Sequence, residues 1–157
     1  MFAQRVASPD IDVELEEPIP ELRLVADERM LTQALSNILK NAAEAVGARR
    51  ASKTPKAKEQ GRIRARLVSD EAGVAFEVED NGVGLPAKDR DRLTEPYVTT
   101  REKGTGLGLA IVKRILEDHG GELELTDARE GPGALAILRL PPSARVKSAP
   151  KTATVTA

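Results

Sequence analysis

The chain contains no cysteine, no tryptophan and a single histidine, His119, among 157 residues. Without cysteine there is no disulfide framework, no thiolate nucleophile and no Cys-based zinc site. A lone histidine removes His-pair metal sites and makes a His-based catalytic constellation hard to assemble. Aromatic residues are also scarce, at two Phe and one Tyr, so Leu, Val, Ile and Ala must fill whatever core the 40% apolar content forms. No run approaches the ~18 to 20 apolar residues needed to cross a bilayer. The opening MFAQRVASPD lacks both the basic end and the apolar stretch of a signal peptide. These exclusions leave a soluble chain of one domain's length.

A net charge of −1 conceals two blocks of opposite sign. Residues 10 to 28 hold eight acids against Arg23, and residues 47 to 66 hold eight bases against Glu59. The basic block contains Pro55, two glycines and no apolar periodicity before Ile63, which reads as a long solvated loop entering a strand. A nucleic-acid patch is the rival reading, but interleaved aromatics and a reader helix are both missing.

Ile11, Val13 and Leu15 alternate with acids, as in a half-buried strand at a sheet edge that ends at the Pro18 to Pro20 turn. From Asp27 the period changes to that of a helix, with Leu31, Ala34, Leu35, Ile38, Ala42, Ala45 and Val46 on one side and Gly47 expected to end it. Ile63/Ala65/Leu67 and Val74/Phe76/Val78 alternate about a turn at Asp70 to Gly73, a predicted hairpin. A second helix is expected over Leu107 to Asp118, stopped by Gly120-Gly121, with strands at Glu122 to Thr126 and Ala134 to Leu140. Pro141-Pro142 should close the domain. The expected organisation is a linker over residues 1–9, a domain over 10–142 and a disordered tail over 143–157.

Three places carry chemistry. On the first helix Asn37, Asn41 and Glu44 stand at i, i+4 and i+7, within about a 60° arc beside the apolar face. Oxygen donors bordering a cavity suit Mg²⁺, which accepts few protein ligands and takes the rest from water and phosphates; an ordinary helix-edge hydrogen-bonding role is the alternative. Asp80 shares the parity of Val74, Phe76 and Val78 and so faces inward at a strand end. A buried acid needs a donor, either a ligand such as an adenine amino group or the Asn81-Gly82 turn that it would cap. Gly82 and Gly84 let the backbone bend and approach a ligand closely. Last, Gly104-Thr105-Gly106-Leu107-Gly108 places three glycines immediately before a helix, whose free amides attract phosphate, with Arg101 and Lys103 beside it. The spacing is neither a dinucleotide fingerprint nor a P-loop.

N-x-x-x-N on a helix, D-x-G-x-G after a strand and G-x-G-x-G before a helix, in that order over residues 37 to 108, resemble the catalytic, ATP-binding domain of two-component sensor histidine kinases. That family is shared with type II topoisomerases, the Hsp90 chaperone and the MutL repair ATPases. LTQALSNILKNAAEAV is similar to the family's N box, DNGVGLP to the first glycine box, EPYVTT to the phenylalanine box and GTGLGLAIV to the second glycine box. NAAEA, EPYVTT and ILEDHGG look most like the nitrogen-regulation sensor kinases, in particular their membrane-anchored branch. The resemblance covers about residues 10 to 141.

It implies an α+β fold, a two-layer α/β sandwich in which a mixed, mostly antiparallel sheet packs on three helices (the Bergerat ATP-binding fold). It further implies that ATP and Mg²⁺ are bound, with Asn41 the Mg²⁺ ligand, Asn37 a polar contact near the phosphates and Asp80 the adenine reader. Gly82 and Gly84 would line the base pocket and Ala87 to Lys103 would form a mobile lid carrying Tyr97. Gly104, Thr105, Gly106, Leu107 and Gly108 would hold phosphate, with Arg101 and Lys103 as its cations. Departures from the family pattern are Tyr97 for Phe, Gly133-Ala134 for a Gly-Thr pair, and Glu44 where many relatives carry Lys, which sets a carboxylate near phosphate.

The family's phosphoacceptor histidine lies on a dimerising helical hairpin before this domain, and no such hairpin precedes Ile11. His119, at a helix C-terminus, is expected to have a structural role toward the helix dipole. The expected chain is therefore an excised, cytoplasmic domain of a kinase anchored in the inner membrane. It would donate the γ-phosphoryl group to the hairpin of its parent, which serves a response regulator. The rival is a stand-alone serine kinase of the anti-sigma-factor type or an ATPase, but those relatives place Glu where Asn37 stands. A binding module without transfer activity is the third reading.

Overall fold

The computed structural model describes residues 10–17, 21–52, 59–99 and 104–146. β1 (Ile11–Leu15) leads into α1 (Glu28–Ala51), which returns the chain to β2 (Gly61–Asp70), paired parallel with β1. β2 and β3 (Gly73–Asp80) form the expected hairpin, with Leu67 opposite Phe76 and Asp70 opposite Gly73. After a long connection come α2 (Gly108–Asp118), β4 (Glu122–Asp127) and β5 (Ala134–Leu140), and the strand order is β1-β2-β3-β5-β4. Among the described strands only the β1/β2 pair is parallel, a pairing that needs a crossover such as α1 supplies. The architecture is thus the expected α+β sandwich with β1 at its edge.

One face of the sheet packs on both helices. Ile38 and Val46 of α1, Val112 and Leu116 of α2, and Ile63, Val78, Leu138 and Leu140 of the sheet form the buried core. Asp27 caps α1, its Oδ1 accepting the Arg29 and Met30 amides at 2.9 and 3.1 Å.

Four expectations need correction. α1 does not stop at Gly47 but continues to Ala51. A helical glycine costs only about 1 kcal/mol, and long-range bonds hold the extra turn: Arg49 Nη1 donates to the Asn81 carbonyl at 2.7 Å, and Arg50 Nη1 to that of Glu59 at 2.6 Å. The described residues contain two α-helices, not three. Between β3 and α2 the described residues form only a 3-10 turn, Arg90–Arg92; Pro96 withdraws an amide, and positive φ at Asp89 (56°) and Tyr97 (65°) breaks any right-handed run there. Residues 143–146 belong to the fold: Ala144 is buried, its carbonyl accepts the Val25 amide at 2.7 Å, and the Val146 amide donates to Arg23 at 2.9 Å. Residues 147–157, the rest of the expected tail, lie outside the described residues, as do 1–9 and the Pro18 to Pro20 turn.

The basic block is the fourth. Arg49 and Arg50 end α1, while Arg62, Arg64 and Arg66 lie in β2; residues 53–58 lie outside the described set. Toward the sheet face away from the helices, Arg64 sits 3.7 Å from Glu14 and 4.0 Å from Glu79, and Arg66 2.8 Å from Glu77 and 4.0 Å from Glu16. The acidic and basic blocks of the sequence therefore meet as neighbouring strands. Glu77 is 7% exposed and is also paired with Arg129, so its burial is compensated twice.

Candidate nucleotide site

The site is assembled along one edge of α1. Asn37, Asn41, Ala45 and Arg49 follow one another at intervals of four, the spacing of a ridge on a helix surface. Asn41 meets the start of α2: a Cβ built on Gly108 would lie 3.9 Å from both its Nδ2 and its Oδ1. Ala45 meets the turn after β3. A Cβ on Gly82 would come within 2.5 Å of the Ala45 carbonyl carbon, and the Val83 amide donates to the Ala45 carbonyl at 3.2 Å. The absent side chain at Gly82 therefore lets the turn lie flush on the helix.

Asp80 ends β3 inward, as its parity predicts, at 8% exposure. Its Oδ1 accepts the Gly82 amide at 2.8 Å, so the carboxylate does cap the turn. Gly84 has φ +78° and packs against Gly133, itself at φ +124° with no room for a Cβ beside the Asp80 carbonyl. The turn is thereby held from two sides, by α1 and by the β4–β5 connection.

Asn37 is half-buried. Its Nδ2 is fully buried and finds no partner among the described residues, a costly arrangement for an amide donor. Glu44 is exposed and stands 3.9 Å from Lys40, which offsets its charge. The N-cap residue of α2, Leu107, gives no side-chain hydrogen bond to its first amides. Before them, Thr105 Oγ1 accepts the Leu107 amide at 3.4 Å and Gly106 adopts φ +71°. The Tyr97 amide donates to the Gly106 carbonyl at 2.9 Å, and a Cβ on Gly106 would strike the Tyr97 backbone at 2.6 Å. Tyr97 thus meets the glycine loop through its backbone and is itself 78% exposed. Gly104 is exposed. Arg101 and Lys103 lie outside the described residues. The start of the segment between β3 and α2 is fastened by Arg90, whose Nε donates to the Pro86 carbonyl at 2.8 Å and whose two terminal nitrogens reach the Asp127 carboxylate at 2.9 and 3.1 Å.

His119 has the structural role expected of it, by a different means. Its Nε2 accepts the Asp27 amide at 3.0 Å and its Nδ1 lies 2.7 Å from the Ile115 carbonyl, the arrangement of an Nδ1–H tautomer, and the ring joins the end of α2 to the start of α1. The apolar hollow lined by Leu15, Leu35, Leu39, Leu67 and Phe76, about 290 Å³, is between α1 and the sheet, away from Asp80 and Asn41.

Sequence reasoning missed Arg49 and Asn81. Arg49 was hidden by the stop assigned at Gly47, although the interval of four from Asn41 and Ala45 signals it. Asn81 Nδ2 donates to the Gln60 carbonyl and its Oδ1 accepts the Arg62 amide, tying the turn to β2.

Residues 26–144 match the family described as histidine kinase-, DNA gyrase B-, and HSP90-like ATPases. The nitrogen regulation protein NtrY of Azorhizobium caulinodans is 50% identical over 140 residues, covering 89% of this chain and 18% of that protein. The sensor histidine kinase ZraS of Escherichia coli is 38% identical over 123 residues, covering 78% of this chain and 23% of its own. The chain thus spans about a fifth of the length of these relatives. Among solved structures, the catalytic domain of histidine kinase ThkA in a nucleotide-free form superposes with TM-score 0.71 at 31% identity, covering 89% of this chain and 86% of that one. Full-length ShkA in complex with AMPPNP gives TM-score 0.71 at 29% identity, covering 94% and 30%. Motifs, fold and relatives agree, and the chain belongs to the family of histidine kinase-, DNA gyrase B- and HSP90-like ATPases.

Proposed function

We propose that this chain is the catalytic, ATP-binding domain of a sensor histidine kinase of the nitrogen-regulation type. In this reading it binds Mg-ATP and donates the γ-phosphoryl group to a histidine on a separate helical hairpin of its parent, which in turn serves a response regulator. The observation that carries the reading is the convergence of three motifs on one edge of α1: Asn41 against Gly108, Ala45 against Gly82, and the buried Asn37 Nδ2 left without an acceptor among the described residues. A phosphate oxygen is the acceptor that this donor lacks.

The donors fit Mg²⁺ bound together with nucleotide. The described residues hold no group of three His, Cys, Asp or Glu that would take a metal alone, and Mg²⁺ is commonly held by one or two protein ligands plus phosphates and water. Asn41 would hold it, and the ion would neutralise and orient phosphate charge. Asp80 would accept the adenine amino group, with Gly82 and Gly84 against the base. The amides at the start of α2 would meet the phosphates, with Arg101 and Lys103 as candidate phosphate cations. Transfer then consists of attack by an imidazole nitrogen of the hairpin on the γ-phosphorus while the bond to the ADP oxygen breaks and ADP keeps the electron pair.

Asn37 favours transfer over hydrolysis, because an amide orients a group without accepting its proton. No described helix is long and apolar enough to cross a membrane, and anchoring of the parent is part of this proposal. Calorimetry with Mg-ATP on the chain and on Asp80→Asn tests the reading. Binding should weaken about tenfold or more in the variant, the scale of a hydrogen bond to a charged group. Equal affinity would remove Asp80 from the site.

A further inference from the structure

A trans peptide is a rigid plane whose carbonyl and amide point in opposite directions, so gripping one end fixes the other. The peptide joining Asn81 to Gly82 is gripped at both ends. Arg49 Nη1 donates to its carbonyl at 2.7 Å, and its amide, on Gly82, donates to Asp80 Oδ1 at 2.8 Å. The Arg49 side chain is only 16% exposed and its second arm rests on Glu59 Oε2 at 2.9 Å, which holds the guanidinium in place. A cationic donor on a carbonyl polarises the amide and strengthens its N–H as a donor in turn.

We infer that Arg49 is a positioning residue for the base-reading carboxylate: from the last turn of α1 it orients the Asn81–Gly82 peptide, and that peptide sets the Asp80 side chain. This role rests on the nucleotide reading given above. It governs recognition of the base and leaves the phosphate end to Asn37, Asn41 and the glycine loop, which lie further along the same helix edge or at the start of α2. A merely structural arginine would weaken every ligand alike.

The test uses the whole chain and its Arg49→Ala, Arg49→Gln and Arg49→Lys variants. Two quantities are read: amide exchange at Gly82 without nucleotide, and affinity for Mg-ATP, Mg-GTP and Mg-tripolyphosphate. Arg49→Ala should speed exchange at Gly82, lower ATP affinity about tenfold, narrow the preference for ATP over GTP and leave tripolyphosphate binding unchanged. Arg49→Lys should recover part of the loss. If Arg49→Ala does not fold, Arg49→Gln must show the same selective loss in smaller measure. Equal losses for ATP and tripolyphosphate, or an unaltered Gly82 amide, would overturn the inference. Failure of the nucleotide reading itself is recognised separately, by a wild-type chain that does not prefer ATP to tripolyphosphate.

Discussion

Asn37→Leu should make the nucleotide-free protein more stable and a poorer nucleotide binder. Leu has the same branched outline as Asn, with carbons where Asn carries its amide nitrogen and oxygen. The Nδ2 of Asn37 is buried without a partner among the described residues, and such a group costs about 1 to 3 kcal/mol. Replacing it relieves that cost, and exchanging Asn for Leu inside a helix adds a few tenths of a kcal/mol from propensity. Against this stand the loss of whatever the amide oxygen gains, up to about 1 kcal/mol, and the strain of a somewhat larger side chain. The net expectation is roughly 1 kcal/mol of stabilisation, or about 3 to 5 °C in Tm for a domain of this size. Thermal and urea unfolding without nucleotide measure it. Unfolding with Mg-ATP then measures binding, since a ligand at a hundred times its Kd adds about 2.7 kcal/mol. The variant should show a smaller ligand-induced rise than wild type. If Asn37→Leu destabilised the free protein by 1 kcal/mol or more, Nδ2 would have a partner after all; an undiminished ATP-induced rise would place Asn37 outside the site.

Gly133→Ala forces a Cβ into the Asp80 carbonyl from a backbone at φ +124°. It should cost about 3 kcal/mol or more in urea unfolding, and a change below about 0.5 kcal/mol would contradict the packing of the β4–β5 connection on the turn. His119→Ala removes the hydrogen bond from the Asp27 amide that joins the helices, together with the ring's bond to the Ile115 carbonyl within α2. It should cost about 1 to 2 kcal/mol yet leave Mg-ATP affinity unchanged, because the ring sits some 16 Å along α2 from Gly108; a weaker affinity by calorimetry would refute that separation.

The strands were legible because a sheet with one buried face imposes a period of two, which Ile11/Val13 and Val74/Phe76/Val78 show plainly. The same parity placed Asp80 inside, and it is 8% exposed. What stayed hidden depends on partners far away in sequence. Gly47 is a plausible stop by propensity, but the bond from Arg49 to the Asn81 carbonyl, thirty-two residues on, and that from Arg50 to the Glu59 carbonyl outweigh it. Glu77 alternates like a solvent-facing residue and is buried beneath Arg66 and Arg129, the latter fifty-two residues away. The two charge blocks gave no sign separately that they pair across neighbouring strands. His119 revealed its place at a helix end, but not the Asp27 amide ninety-two residues before it.

The most direct test of the account is transfer of label from γ-³²P-ATP. The chain is incubated with Mg²⁺ and labelled ATP, alone and with the histidine-bearing hairpin of its parent kinase, and label is followed on both polypeptides and in free phosphate. The account predicts acid-labile label on the hairpin histidine, none on His119, and little phosphate release from the chain alone. Label on His119, or rapid phosphate release without the hairpin, would contradict it and mark the chain as an enzyme that acts by itself.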